Sequence, residues 1–224
     1  MALKRKINPA RAVDIRSALP SETGVQKPPR VAHVERKTRE TQVSITLKLD
    51  GTGQSSITTG VPFLDHMLES FARHGFFDLD VEARGDVHID DHHTVEDVGI
   101  VLGRAFRQAL GDRSGIRRFG EATVPLDEAL CTAVVDISGR SFLAYEVPIA
   151  RERVGNFQTD LVHDFMKAFS DEAGINLHLI LKSGRNPHHV IETVFKSFAR
   201  AMDQATAMEP RLTGALSTKG TLAS

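Results

Sequence analysis

His92-His93-Thr94-Val95-Glu96 and His188-His189-Val190-Ile191-Glu192 carry one pattern, His-His-x-x-Glu, at two points of a single chain. Each copy leaves a turn rich in Gly, Asp, Asn or Pro and opens a stretch with helical apolar spacing. On a helix the first histidine and the glutamate lie one turn apart, so His92 with Glu96, and His188 with Glu192, can converge on one ion. The second histidine is turned by roughly 100° about the axis and points at a different site. A motif facing two ways can serve two ions, shared between neighbouring subunits. A lone His-His on a surface helix is usually a solvated pair. Its recurrence at matching points of two similar segments favours metal binding.

The elements around the two motifs also repeat. Val31 to Leu49 alternates as strands do, with a break near Thr38 to Thr41, and Asp50-Gly51-Thr52-Gly53 is a turn. Pro62 to His74 has helical spacing ended by Gly75, Phe77 to Ala83 reads as a strand, and the first motif's helix runs to about Leu110. In the second part strands run through Ala122-Val124-Leu126, Leu130 to Ile137 and Phe142 to Val147. A helix from about Asp160 to Ala173 stops at Gly174, Ile175 to Leu181 is a strand, and Pro187 opens a helix to about Ala205. This order predicts an α+β fold, internally duplicated, each half a mixed β-sheet with two helices packed on one face. The expected divisions are 31–117 and 118–210 for the halves, 211–224 for a substrate-covering tail, and 1–30 for an arm.

The arm has seven Lys or Arg against two Asp or Glu and few apolar residues, which reads as flexible and basic, without the apolar segment of a secretory signal. The whole chain of 224 residues is 41% hydrophobic with a formal net charge of −1. Near-neutral charge gives no support to a nucleic-acid partner. No apolar run has the length of a membrane span, and a cytoplasmic location is expected. The single cysteine, Cys131, sits in an alternating apolar stretch and reads as a small buried hydrophobe, which leaves metal ligation to histidine and carboxylate.

Further candidates surround the motifs. His66 lies in the first helix of the first half, where Asp65 could orient its imidazole. The matching helix of the second half holds His163-Asp164. Nitrogen and oxygen donors without thiolate suit Mn, Fe, Co or Zn. Lys196 stands one turn beyond Glu192, where the first half has Ile100, so a cation beside one metal site suits an anionic substrate. Arg118, Arg140, Ser217 and Lys219 are phosphate-binding candidates, the last two in a Gly-rich tail that could fold over the ligand. Arg36, Thr38 and Glu40 alternate on one strand face, and Glu40 is the acid–base candidate outside the metal motifs.

Together these residues resemble the imidazoleglycerol-phosphate dehydratase family. The resemblance spans about Arg36 to Leu222 and rests on Gly60-Val61-Pro62-Phe63-Leu64-Asp65-His66-Met67-Leu68, Asp90-Asp91-His92-His93-Thr94-Val95-Glu96-Asp97, Ser138-Gly139-Arg140, His188 to Ala201 and Ser217-Thr218-Lys219-Gly220. It implies two manganese ions per active site, with His66, His92, His93, Glu96, His188, His189 and Glu192 as ligands. It implies phosphate contacts from Arg118, Arg140, Ser217 and Lys219, a substrate contact from Lys196, and a catalytic carboxylate at Glu40. It also implies a homo-oligomer of cubic symmetry, a 24-mer built from trimers, with active sites between subunits. In one place the chain departs from the family: the last histidine ligand falls at position 164, which is Asp164, with His163 one place earlier. His163 is taken as the ligand; Asp164, or one fewer donor, are the other possibilities.

The implied reaction removes water from D-erythro-imidazole-glycerol phosphate, giving imidazole-acetol phosphate in L-histidine biosynthesis. No carbonyl acidifies the carbon that loses hydrogen, so the substrate's imidazole serves as electron sink. The implied route runs through a metal-bound imidazolate and a diazafulvene. A metal-dependent phosphate hydrolase and a metal-storage assembly are the competing readings. Hydrolysis would release phosphate, and storage would need neither Lys196 nor Glu40.

Overall fold

The structure is a computed structural model that describes residues 29–222. Most of the arm expected over 1–30 lies outside the described residues. Arg30 belongs to the fold: it donates to Asp50 and to the Thr206 carbonyl.

The first half runs β1 (Val31–Lys37), β2 (Thr41–Lys48), β3 (Ser55–Thr58), α1 (Pro62–Gly75), β4 (Asp78–Gly85) and α2 (His92–Leu110). The second runs β5 (Phe119–Leu126), β6 (Ala129–Asp136), β7 (Phe142–Glu146), a small hairpin of β8 (Arg153–Val154) and β9 (Phe157–Gln158), α3 (Leu161–Ala173), β10 (Asn176–Ser183) and α4 (Pro187–Thr206). The sheet orders are β1-β2-β4-β3 and β5-β6-β10-β7, each with two antiparallel pairs and one parallel pair at the end. The duplication is therefore visible strand by strand. The β8–β9 hairpin is an insertion in the second half, too short to leave a periodic signal.

Alternation drives each sheet. Thr41, Val43, Ile45 and Leu47 of β2 are buried while Gln42 and Lys48 are exposed, so one face seeks cover. Helix α2 lies on β1 and β2 and packs against α3; α4 lies on β5 and β6 and packs against α1. The helices of one half thus meet those of the other. Phe71, Phe77, Phe106, Phe169 and Phe198 close a circuit of ring contacts, with centroids 5.0–5.4 Å apart, through which all four helices are tied. Each ring is at most 1% exposed, so truncating one to alanine costs about 3–5 kcal/mol. At Gly99 of α2 a Cβ would sit 2.8 Å from the Phe165 carbonyl oxygen, so this glycine permits the close α2–α3 approach.

Three local expectations are revised. Helix α1 includes Gly75, and the left-handed residue that ends it is Phe76 (φ 57°), matching Gly174 (φ 67°) after α3. Strand β1 stops at Lys37, so Thr38 and Glu40 belong to the β1–β2 turn and do not share a strand face with Arg36. Asp65 does not orient His66; it accepts from the backbone and side chain of Thr59, holding the entry to α1. Cys131 is fully buried in β6.

Candidate active site

Helix α4 begins where Asn186 caps it, accepting from the His188 amide (3.0 Å), with Pro187 in the first turn. That start places His188 and Glu192 on the face toward α1, where His66 meets them. His188 Nε2 lies 3.3 Å and His66 Nε2 3.8 Å from one Glu192 oxygen, and the donor atoms of all three lie within 4.8 Å of one another. Three donors gathered this closely, two imidazoles and one carboxylate, fit the coordination shell of a single divalent ion. Lys196 donates to the other Glu192 oxygen at 2.7 Å. Burial pushes the Glu192 carboxyl up, but the hydrogen bond and charge of Lys196 outweigh it and hold the group below the usual carboxylate range. Beside His66 a cavity of about 390 Å³ opens between Phe63, Val154 and Phe157.

The other motif faces α3. His92 Nε2 is 3.9 Å from Glu96, and His92 Nδ1 is 3.3 Å from Asp164. His163 touches this cluster through Asp164, whose other oxygen lies 3.3 Å from its Nδ1, and its ring stands edge-on to Tyr145, with centroids 5.2 Å apart. Asp164 is the α3 residue that meets the motif.

The second histidine of each pair turns away from its own cluster. His93 Nδ1 contacts Asp86 at 3.1 Å and lies 4.0 Å from Glu40; His189 Nδ1 contacts Glu128 at 2.8 Å. The Asp86 hydrogen bond, with added charge from Glu40, raises the His93 pKa, and the Glu128 hydrogen bond does the same for His189. Such carboxylates fix the ring orientation and raise the basicity of the free nitrogen. Glu128 also accepts from the Arg185 and Asn186 amides and is held down to about 2, first by His189 and then by Asn186. Neither Asp86 nor Glu128 stands out in the sequence, although Glu128 holds the turn position that Glu40 holds in the first half.

Glu40 itself is exposed on a turn that is well fixed. The Thr38 hydroxyl accepts from the Glu40 amide at 3.1 Å and the Thr41 amide at 2.9 Å. Asp97, next to Glu96 on α2, accepts from Arg36 at 2.9 Å and from the Thr41 hydroxyl, one contact on each side of the turn. Asp97 thereby ties the Glu40 turn to the first His-His-x-x-Glu motif.

Arg118, Arg140, Ser217 and Lys219 line one cavity of about 620 Å³ with Ser138, Leu216 and Thr218. The Arg118 guanidinium grips Asp136 through two bonds of 2.6 and 3.0 Å and donates to the Leu216 carbonyl at 2.8 Å. Farther along, Arg113 donates to the Leu222 carbonyl at 2.9 Å. A Cβ on Gly139 (φ 88°) would lie 2.4 Å from that carbonyl oxygen, so only glycine lets the tail seat here. The tail is pinned on both sides of Ser217 and Lys219. This cavity sits where β6 ends at Asp136, whereas Glu128 and His189 sit where β6 begins at Ala129. Seven residue-to-residue steps separate those ends by roughly 23 Å. The second His-His-x-x-Glu motif and the cationic cavity therefore stand apart within one chain.

The family model for imidazoleglycerol-phosphate dehydratase matches residues 59–202. The imidazoleglycerol-phosphate dehydratase of Pelobacter propionicus is 57% identical over 193 residues, covering 86% of this chain and 99% of that protein. That of Geobacter metallireducens is 54% identical with the same coverage. The crystal structure of the Staphylococcus aureus enzyme superimposes with a TM-score of 0.73 at 38% identity, over 80% of this chain and 99% of that one. The Pyrococcus furiosus enzyme, in complex with (S)-C348, gives 0.73 at 33% identity, over 84% and 99%. Likeness of this extent, through both halves and their motifs, makes the chain a member of the imidazoleglycerol-phosphate dehydratase family.

Proposed function

We propose that this hydro-lyase uses divalent metal, two manganese ions per active site, to dehydrate D-erythro-imidazole-glycerol phosphate to imidazole-acetol phosphate in histidine biosynthesis. The observation that carries the metal requirement is the convergence of His66, His188 and Glu192, with donor atoms within 4.8 Å of one another, in a chain of this family. Bound metal supplies a Lewis acid that favours the deprotonated imidazole of the substrate. Glu40, on its tethered turn, moves the carbon-bound proton. Loss of the hydroxyl from the ring-deprotonated substrate leaves a diazafulvene; removal of the neighbouring proton gives an enol, which becomes the ketone. Arg140, Lys219 and Ser217 hold the phosphate under the pinned tail, and Arg118, already forked to Asp136, sets the rim. A fixed phosphate aligns the reacting carbons at the far end of the molecule. Lys196 holds Glu192 charged.

A separation of roughly 23 Å between the two ends of β6, the second motif at one and the cationic cavity at the other, exceeds the reach of one small phosphorylated imidazole. One substrate can engage both only where two copies meet, which supports active sites shared between subunits; the family resemblance adds the expected 24-mer built from trimers. The outward-turned His93 and His189 are then donors to a neighbour's ion.

Product analysis tests the reaction: phosphate should stay on a ketone product, and release of inorganic phosphate would replace dehydration with hydrolysis. Chelation should abolish activity and lower the particle mass by light scattering. A metal-free particle of unchanged mass would remove the bridging role of the histidines.

A further inference from the structure

Helices α1 and α3 are equivalent, and their register is fixed by two pairs of residues 98 apart: Phe71 and Phe169 in the ring circuit, Phe76 and Gly174 as left-handed ends. The same spacing matches Asp65 with His163 and His66 with Asp164, so the order of acid and imidazole is reversed between the halves. The contacts follow the register. His66 faces the His188/Glu192 pair, and Asp164 faces the His92/Glu96 pair through an oxygen 3.3 Å from His92. The other Asp164 oxygen lies 3.3 Å from His163 Nδ1, so His163 supports Asp164 from behind.

The remaining acids around this cluster are engaged elsewhere. Asp171 pairs with Lys167, and Glu172 binds Arg104 through bonds of 2.9 and 3.1 Å. His92 is left between Glu96, 3.9 Å from its Nε2, and Asp164, 3.3 Å from its Nδ1. We infer that Asp164, not His163, is the metal donor of this cluster, and that the two metal sites of the chain differ in kind, one with two nitrogens and one oxygen, the other with one nitrogen and two oxygens.

The consequence is a split in cation preference. Carboxylate oxygen suits Mn²⁺ and Mg²⁺, whereas imidazole suits Zn²⁺, so the Asp164 site discriminates less strongly for Zn²⁺ than the His66 site does. It is also less prepared. His92 faces Glu96 with Nε2 and Asp164 with Nδ1, so its ring must turn about the Cβ–Cγ bond before one nitrogen serves with both carboxylates.

The inference rests on the metal-dependent reading above, and the test separates the two. Full-length protein is equilibrated with Mn²⁺ or Zn²⁺ alone; bound ions are counted by mass spectrometry and Mn²⁺ is followed by paramagnetic resonance. Wild type should show two classes of site with different Mn²⁺/Zn²⁺ ratios, a comparison that needs no variant. Asp164→Ala should weaken one class by about a thousandfold or more, beyond the usual 10–100-fold cost of losing a supporting partner. His163→Ala should retain both classes. Asp164→His should shift the Mn²⁺/Zn²⁺ ratio of the altered class toward the other by about tenfold, and it keeps the inference testable if the alanine variant folds poorly. Loss of a class in His163→Ala but not in Asp164→Ala, or equal ratios at both classes of wild type, would overturn the inference. Full metal retention in His188→Ala as well as Asp164→Ala would bring down the metal-dependent reading with it.

Discussion

Glu40 and Glu128 occupy the same place in the two halves, the last turn residue before β2 and before β6, yet their carboxylates are used differently. Glu128 is consumed: two amides at the start of α4 and His189 donate to it. Glu40 has His93 only at 4.0 Å and otherwise faces solvent, on a turn that Asp97 holds in place. A similar contrast recurs along the chain. Lys196 answers Ile100, and the cationic cavity at the end of β6 answers a closed corner at the end of β2, where Asp78 binds Lys48 and the β2–β3 loop. Duplication supplied two scaffolds with the same His-His-x-x-Glu motif in the same place. On the proposed function, the carboxylate that moves a proton is the copy released from structural duty.

The sharpest way to break this comparison is to change both glutamates. Glu40→Gln keeps shape but cannot accept a proton, so kcat should fall by roughly 10²–10⁴ at unchanged metal content. Glu128→Gln should leave proton transfer intact and instead weaken metal binding by about 10–100-fold, since it unsettles His189 and the start of α4. Steady-state kinetics beside a metal titration separates them. Near-normal turnover of Glu40→Gln at full metal occupancy would move the proton carrier to the motif glutamates or bound water.

The two ends of β6 offer the next test. Lys219→Ala should raise KM for the phosphorylated substrate on the order of tenfold, since charge-assisted hydrogen bonds contribute roughly 1.5–3 kcal/mol. Lys48→Ala, at the matching end of β2, should leave KM unchanged. Equal effects would mean that the cationic cavity has no special claim on the phosphate. Making the halves alike with Lys196→Ile tests the third asymmetry. Glu192 would lose its partner at 2.7 Å and its carboxyl would drift upward, so kcat/KM should fall several-fold, most at acid pH. A pH profile unchanged from wild type would show that Lys196 does not govern Glu192.

These asymmetries mark how much could be read from sequence. The long helices, the order of elements along the chain and the repeat were legible because each rests on a local period: apolar spacing in α2 and α4, alternation in β2 and β6. The i, i+4 pairs were legible for the same reason, since His188 and Glu192 share a helix face in any fold. What crosses between elements was not. Thr38 to Glu40 alternates as well as a strand does, but the Thr38 hydroxyl bonds to amides within its own turn and ends the strand before them. The choice between His163 and Asp164 depends on how α3 is rotated against α2, which close packing at Gly99 sets. Asp97, Asp86 and Glu128 act across the fold on residues 56, 7 and 61 positions away, and no local pattern records such pairs.

The smallest expected effect lies at the closed corner. Asp78 opens β4 and accepts from the Thr52 and Gln54 amides at 2.7 and 3.2 Å and from Lys48 at 3.2 Å. The Thr52 hydrogen bond leads these in holding its carboxyl down to about 2 from 3.8. A carboxyl depressed in the folded state contributes stability that is fully present above its unfolded value and is lost as pH falls through the folded one. The window is therefore pH 3.8 down to about 2. The equivalent residue opening β10 is already an amide, Asn176, whose side chain donates to the Arg140 carbonyl at 2.8 Å and titrates nowhere. Asp78→Asn makes the two corners alike. Its amide oxygen can still accept from the loop, so the loss at neutral pH should be slight, while the fall in thermal midpoint between pH 4 and pH 2.5 should become shallower than in wild type. A variant whose midpoint drops as steeply as the wild type's across that range would show that acid sensitivity arises in the second half or between subunits, and that the closed corner is held by backbone geometry and not by charge.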